Sequence, residues 1–178
     1  SEFAKENNIS GLEFMSCIPG SIGGGIRMNS GCFKKEFKDI LVSIQVVDFK
    51  GLVRSIPANK ISFNYRSIEL PKDLIFLSAT FKGKEKNSEE INNYMTELNT
   101  IKNMAQPTKI KTSGSTFKNP ISQTDKKVWE LIKSSVSHEI SYGDAVISKK
   151  HANFFVNKKN AKAADMKSLI NFVKKKVK

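Results

Sequence analysis

The chain has 178 residues, 39% hydrophobic and 26% charged, and carries a net charge of +13 from 30 Lys and Arg against 17 Asp and Glu. That suits a globular protein with one good core or two small ones, and no apolar run nears the ~18 to 20 residues that span a bilayer. Two cysteines, Cys17 and Cys32, without a CxxC or a histidine cluster, argue against a disulfide framework or a zinc site; the reading is a cytoplasmic protein with reduced thiols and no metal.

The charge calls for an anionic partner. Its lysines are scattered rather than gathered in a stripe, and no helix-turn-helix, RNP or KH pattern accompanies them, so the reading includes neither nucleic acid nor membrane. A nucleotide sugar would be served by the same excess. The chain opens at Ser1 directly into dense sequence and closes inside an uncapped helical pattern, Val173 to Lys178; both ends are read as those of a piece of a longer protein.

The first informative stretch is CIPGSIGGGIRMNSG, residues 17–31. Pro19 fixes φ, and Gly20, Gly23, Gly24, Gly25 and Gly31 remove β-carbons, so backbone could approach a flat or anionic ligand closely. Inside a helix each glycine would cost about 0.8 to 1 kcal/mol. The spacing matches neither GxxxxGK[ST] nor a GxGxxG with its acidic partner, and a tight turn between closely packed elements explains the bare pattern as well.

Ile40 to Asp48 and Leu52 to Ile56, joined by Phe49-Lys-Gly51, predict a hairpin, and Leu74 to Phe81 a third strand. Phe63 to Ser67 reads as a polar and aromatic loop between them. From Ser88 the period changes: Ile91, Tyr94, Met95, Leu98 and Ile101 predict a helix of about four turns, with Asn87 at its N-cap and Gln106-Pro107 at its end. The domain boundary is placed just before it, between 86 and 87. A second helix around Val128, Leu131 and Ile132, short strands at Ala145 to Ile147 and Asn153 to Val156, and a last helix presenting Met166, Leu169, Ile170, Val173 and Val177 complete an α+β reading.

Three places could carry chemistry. The glycine segment is one. In Gly114-Ser-Thr-Phe-Lys-Asn-Pro120 a serine follows glycine in a loop, which is commonly just a turn; with only His138 and His151 available, a Ser-His-Asp triad has little to draw on. As a proton donor Ser115 would need burial and a nearby cation, such as Lys118. In Asn64-Tyr-Arg-Ser67, Phe63 and Tyr65 could stack and orient Arg66 as a clamp for a carboxylate. None decides alone.

Their order is specific. IPGSIGGGIRMNSGC, FNYRS, QP followed by GSTFKNP, and HANFFVN with Ala163-Ala-Asp165 behind it resemble the UDP-N-acetylenolpyruvoylglucosamine reductase (MurB) family, from about Gly11 to Lys178. The resemblance implies the second half of a PCMH-type FAD-binding domain at 1–86 and a C-terminal substrate-binding α+β domain at 87–178, truncated at its end. It implies a monomeric flavoenzyme of peptidoglycan synthesis, with FAD as cofactor, NADPH as hydride donor and a nucleotide sugar as substrate. Arg66 corresponds to the family's carboxylate-polarising arginine and Ser115 to its proton donor. Tyr65 and Asn119 would contact substrate, and Ile18, Pro19, Gly20, Ser21, Gly23, Gly24 and Asn29 would contact the flavin. In this reading Ser115 and Arg66 converge.

The chain also departs from the family pattern. The family's first FAD subdomain and its C-terminal glutamate have no counterpart here, so weak FAD binding and little turnover are expected of this chain by itself. Cys17, Lys34 and Lys35 stand where small residues or glycine are usual, and Ser134 to Ile140 lacks an expected glycine turn before Gly143. The alternatives are a non-catalytic basic α+β module that binds nucleotide or nucleic acid, and an inactive divergent reductase remnant.

Overall fold

The computed structural model describes residues 1–108 and 110–177. They form two compact units, Ser1–Lys102 and Asn103–Lys178. The division therefore falls beyond the expected 86/87, because most of the helix Ser88–Ala105 is tied into the first unit. That helix buries Ile91, Met95 and Leu98, and Asn99 donates to Ser16 Oγ at 3.0 Å. Lys102 Nζ donates to the Cys17 carbonyl. Asn87 caps it as expected, its Oδ1 accepting the Glu89 N–H at 2.8 Å.

The first unit is built on an antiparallel sheet in the order Val53–Pro57, Leu41–Val47, Ile75–Phe81, the three strands expected from their apolar alternation. Ile44 pairs with Ile56 on one side and Ala79 on the other; Ile44 and Val46 are essentially inaccessible to solvent. Asp48 closes the first turn by accepting the N–H groups of Lys50 and Leu52 at 2.9 and 3.0 Å. The core gathers Phe14, Ile26, Phe37, Ile40 and Leu74 around this sheet, with Phe37 edge-on to Phe14 and Phe81. Each such side chain, fully buried, contributes about 1.5 to 3 kcal/mol.

Two segments differ from expectation. The glycine run is a short helix, Ile22–Arg27, and the loop expected at 63–67 is a hairpin, Ser62–Asn64 with Ser67–Glu69, turning on Tyr65 and Arg66. Both put functional candidates on defined backbone.

The second unit is a four-stranded antiparallel sheet in the order Thr112–Ser115, Phe154–Asn157, Ala145–Ile147, Ser141–Tyr142. Helices Val128–Ser135 and Ala163–Lys176 supply Val128, Ile132, Leu169 and Val173 to a core that also holds Ala145, Ile147 and Phe155. The strand Thr112–Ser115 escapes sequence reading because Thr-Ser-Gly-Ser has no apolar alternation. Before Gly143, the Ser137 hydroxyl accepts the Glu139 N–H at 3.2 Å, so a serine turn stands where glycine was expected. Among the described residues no helix is long and apolar enough to cross a membrane, and no group of three or more His, Cys, Asp or Glu could hold a metal ion.

Candidate functional site

The glycine helix starts at Ser21, whose Oγ accepts the Gly24 N–H at 3.2 Å. It ends in a Schellman arrangement: Ser30 N donates to Gly25 O at 2.8 Å, Asn29 N donates to Ile26 O at 2.9 Å, and Asn29 takes the left-handed conformation at φ 38°. Arg27 fastens this end by donating to the carbonyls of Leu70 and Pro71 at 3.3 and 3.0 Å.

The glycines have separate causes. A β-carbon on Gly25 would lie 2.4 Å from the Phe37 ring, and one on Gly23 would lie 3.3 Å from Phe76 Cβ; both let the helix settle on the core. Gly20 has φ +130° and open space around it, so its backbone conformation and not crowding favours glycine. Gly24 faces a cleft of about 350 Å³ that Ile18, Pro19, Gly20, Ser21 and Met28 also line. Its walls combine apolar side chains with backbone that carries little side chain. Those features fit a flat, partly apolar ring system such as a flavin. Five of the seven expected cofactor contacts line this cleft: Ile18, Pro19, Gly20, Ser21 and Gly24. Gly23 and Asn29 do not.

Asn29 is fully buried and occupied elsewhere. Its Nδ2 donates to Glu36 Oε2 at 3.0 Å and to the Asn64 carbonyl at 3.1 Å, and its Oδ1 accepts the Lys38 N–H at 3.1 Å. It thereby joins the end of the glycine helix to the hairpin that carries Arg66. That hairpin puts Arg66 at its second turn position with φ 54°. The guanidinium stacks on Tyr65, 4.9 Å from the ring centroid, as the sequence suggested. Arg66 Nη1 donates to the Asn29 carbonyl at 3.2 Å and to Glu36 Oε1 at 3.0 Å, and Nη2 donates to the Gly31 carbonyl at 3.0 Å. Sequence reasoning missed Glu36; a lone glutamate in a Lys-rich turn gives no periodic signal.

In the second unit Ser115 ends its strand exposed, opposite Phe154, just after Gly114 at φ +87°. The loop behind it is braced by Asn153, which is buried: its Nδ2 donates to the Phe117 carbonyl at 2.9 Å and its Oδ1 accepts the Phe117 N–H at 2.9 Å. The Asn153 carbonyl accepts the Thr116 N–H at 2.8 Å. Asn119 Oδ1 accepts the Val128 N–H at 3.1 Å, which anchors the loop to the first turn of a helix. Burial holds His151 below the usual imidazole value of 6.5; its ring lies 4.8 Å from that of Phe154 and 6.2 Å from that of Trp129. Asn153 was legible only as part of the HANFFVN segment, not as the brace of the serine loop.

Residues 106–178 match the model of the UDP-N-acetylenolpyruvoylglucosamine reductase C-terminal domain. Over 98% of its length the chain shares its fold with the crystal structure of UDP-N-acetylenolpyruvylglucosamine reductase (MurB) from Thermus caldophilus, with a TM-score of 0.87, 33% identity and 63% of that chain covered. The class is therefore an α+β fold of the reductase type. The UDP-N-acetylenolpyruvoylglucosamine reductase of Pelagibacter ubique (strain HTCC1062) is 66% identical over 174 residues, which are 98% of this chain and 58% of that protein. The protein of the same name from Rickettsia bellii (strain RML369-C) is 47% identical over 176 residues, 99% of this chain and 57% of its own length. The chain belongs to the UDP-N-acetylenolpyruvoylglucosamine reductase (MurB) family, and it spans under two thirds of the length of these relatives.

Proposed function

We propose that this chain provides the flavin-facing cleft and the substrate-reducing residues of an FAD-dependent, NADPH-linked reductase. The reductase converts UDP-N-acetylenolpyruvoylglucosamine to UDP-N-acetylmuramate for peptidoglycan in the cytoplasm. The observation that carries the reading is structural continuity within one unit: the residues just after the glycine helix, Asn29, Gly31 and Glu36, are those that hold Arg66. A cleft suited to a flat ring and a cation suited to a carboxylate are thus built from one piece of backbone.

The flavin, when bound, supplies hydride taken from NADPH. Ile18, Pro19, Gly20, Ser21 and Gly24 present the cleft wall, while Gly23 and Asn29 shape it from behind. Hydride addition to the enolpyruvyl double bond sends charge toward the substrate carboxylate. An Arg66 fixed there stabilises that charge more in the transition state than in the ground state. Tyr65 keeps the guanidinium plane from turning. Ser115, exposed in its own unit, gives the proton that completes the α carbon once bound substrate covers it, with Asn119 and Asn153 holding its loop.

The test is NADPH oxidation by the full-length protein with the enolpyruvyl nucleotide sugar. Formation of UDP-N-acetylmuramate at a rate that falls when Arg66 is changed to alanine is expected. Absence of that product, with flavin bound and reduced, would overturn the reading. The purified 178-residue chain is expected to hold FAD weakly, read from its flavin absorbance; a tight stoichiometric complex would contradict that expectation.

A further inference from the structure

Glu36 takes no chemical step in the reaction as described, yet the structure invests it heavily. It lies in the short strand Lys35–Glu36, opposite Gly31, with its side chain largely shielded from solvent. Its two carboxylate oxygens divide the work. Oε1 accepts Arg66 Nη1 at 3.0 Å, while Oε2 accepts Asn29 Nδ2 at 3.0 Å and pairs with Lys38 Nζ at 3.0 Å. Its own backbone N–H donates to Asp39 Oδ2 at 2.8 Å, which fixes where the side chain begins.

Arg66 needs such a partner. It sits at φ 54°, at the tip of a two-residue turn, where neighbouring strands do not dictate side-chain direction. Two backbone carbonyls and one carboxylate supply that direction instead. Lys38 pairs with Oε2 of the same carboxylate, which leaves Oε1 to Arg66.

We propose that Glu36 is a positioning residue that orients the Arg66 guanidinium toward the carboxylate of an anionic substrate. The inference rests on the reductase reading for the identity of that substrate. It makes a specific demand on chemistry at position 36. Glutamine cannot replace glutamate, because one face must accept from Arg66 while the other accepts from Asn29 and Lys38, and an amide offers only one accepting atom.

The experiment uses the full-length protein with Glu36→Gln, Arg66→Ala and the double variant, and follows two steps separately: flavin bleaching by NADPH, and flavin reoxidation by the enolpyruvyl nucleotide sugar. Glu36→Gln is expected to slow reoxidation about 100-fold, the scale of a misplacement near 1 Å, and to leave bleaching unchanged. The double variant should be no slower than Arg66→Ala. Equal slowing of both steps, an unaltered reoxidation, or effects that multiply would overturn the role. If Glu36→Gln does not fold, Glu36→Asp, which keeps the charge and shortens the reach, is read in the same way. If the wild type does not turn over at all, the reductase reading fails, and the Nε–Hε NMR signal of Arg66 decides for Glu36. A distinct signal lost in Glu36→Gln supports the positioning role, and a signal that persists overturns it.

Discussion

Gly25 lies flat against Phe37: a β-carbon at position 25 would come within 2.4 Å of the ring, which is itself clamped edge-on between Phe14 and Phe81. The ring has nowhere to retreat without opening the core. Gly25→Ala is therefore expected to destabilise the first unit by about 1 to 3 kcal/mol, the range for overpacking, despite alanine's better helix propensity. Urea unfolding measures this directly.

Gly24, one residue earlier, should respond differently. A β-carbon there meets only Ser21 Oγ at 3.2 Å and otherwise projects where the cleft lies. Gly24→Ala should leave the urea midpoint nearly unchanged and weaken flavin binding in the full-length protein, measured by fluorescence titration. Loss of stability without loss of flavin would contradict the assignment of this wall.

Lys34 offers a prediction of opposite sign. It occupies the turn between Gly31–Cys32 and Lys35–Glu36 with φ 62°, beside Phe33 at φ 51°. Both are left-handed, a conformation that costs a non-glycine residue about 1 to 2 kcal/mol. Lys34→Gly is expected to stabilise by up to about 1 kcal/mol, read as a higher melting temperature, with Arg66 still anchored at Gly31.

Much of this architecture was legible. Ile44, Val46 and their partners alternate as strands must, and Ile91, Met95 and Leu98 recur as one helical face must, so periodicity alone located the first sheet and the long helix. The glycine helix was not legible as a helix, since its propensity argues against one and its support comes from packing on Phe37 and Phe76 and from the bonds at its two ends. The hairpin around Tyr65 and Arg66 was hidden by a turn that places arginine at positive φ. Arg66, Ser115 and Asn119 were named from the order of motifs. Glu36 and Asn153 act through bonds to residues distant in sequence, which no local pattern records.

Asn153 should behave as the brace of the serine loop. Asn153→Ala removes both of its side-chain bonds to the Phe117 backbone in a buried setting. A loss of about 1 to 3 kcal/mol in the second unit is expected, with faster amide exchange at Phe117. Unchanged exchange there would argue against the brace.

The second unit should also respond to pH through His151. Burial lowers its folded-state value below 6.5, so the unfolded chain binds the proton more readily. Stability from this group is complete above 6.5 and is lost as pH falls through the lower folded-state value. His151→Gln should flatten that part of the curve of melting temperature against pH; an unchanged slope would assign it to other groups.

The central claim is that Arg66 and Ser115 serve one reduction, and it is tested most directly by the rate of UDP-N-acetylmuramate formation in the full-length protein with Ser115→Ala beside the wild type. The account predicts product from the wild type and a loss of about 10² to 10⁴-fold in the variant, the range for removing a general acid. Equal rates in the two proteins, or no product from the wild type with flavin and NADPH supplied, would contradict it.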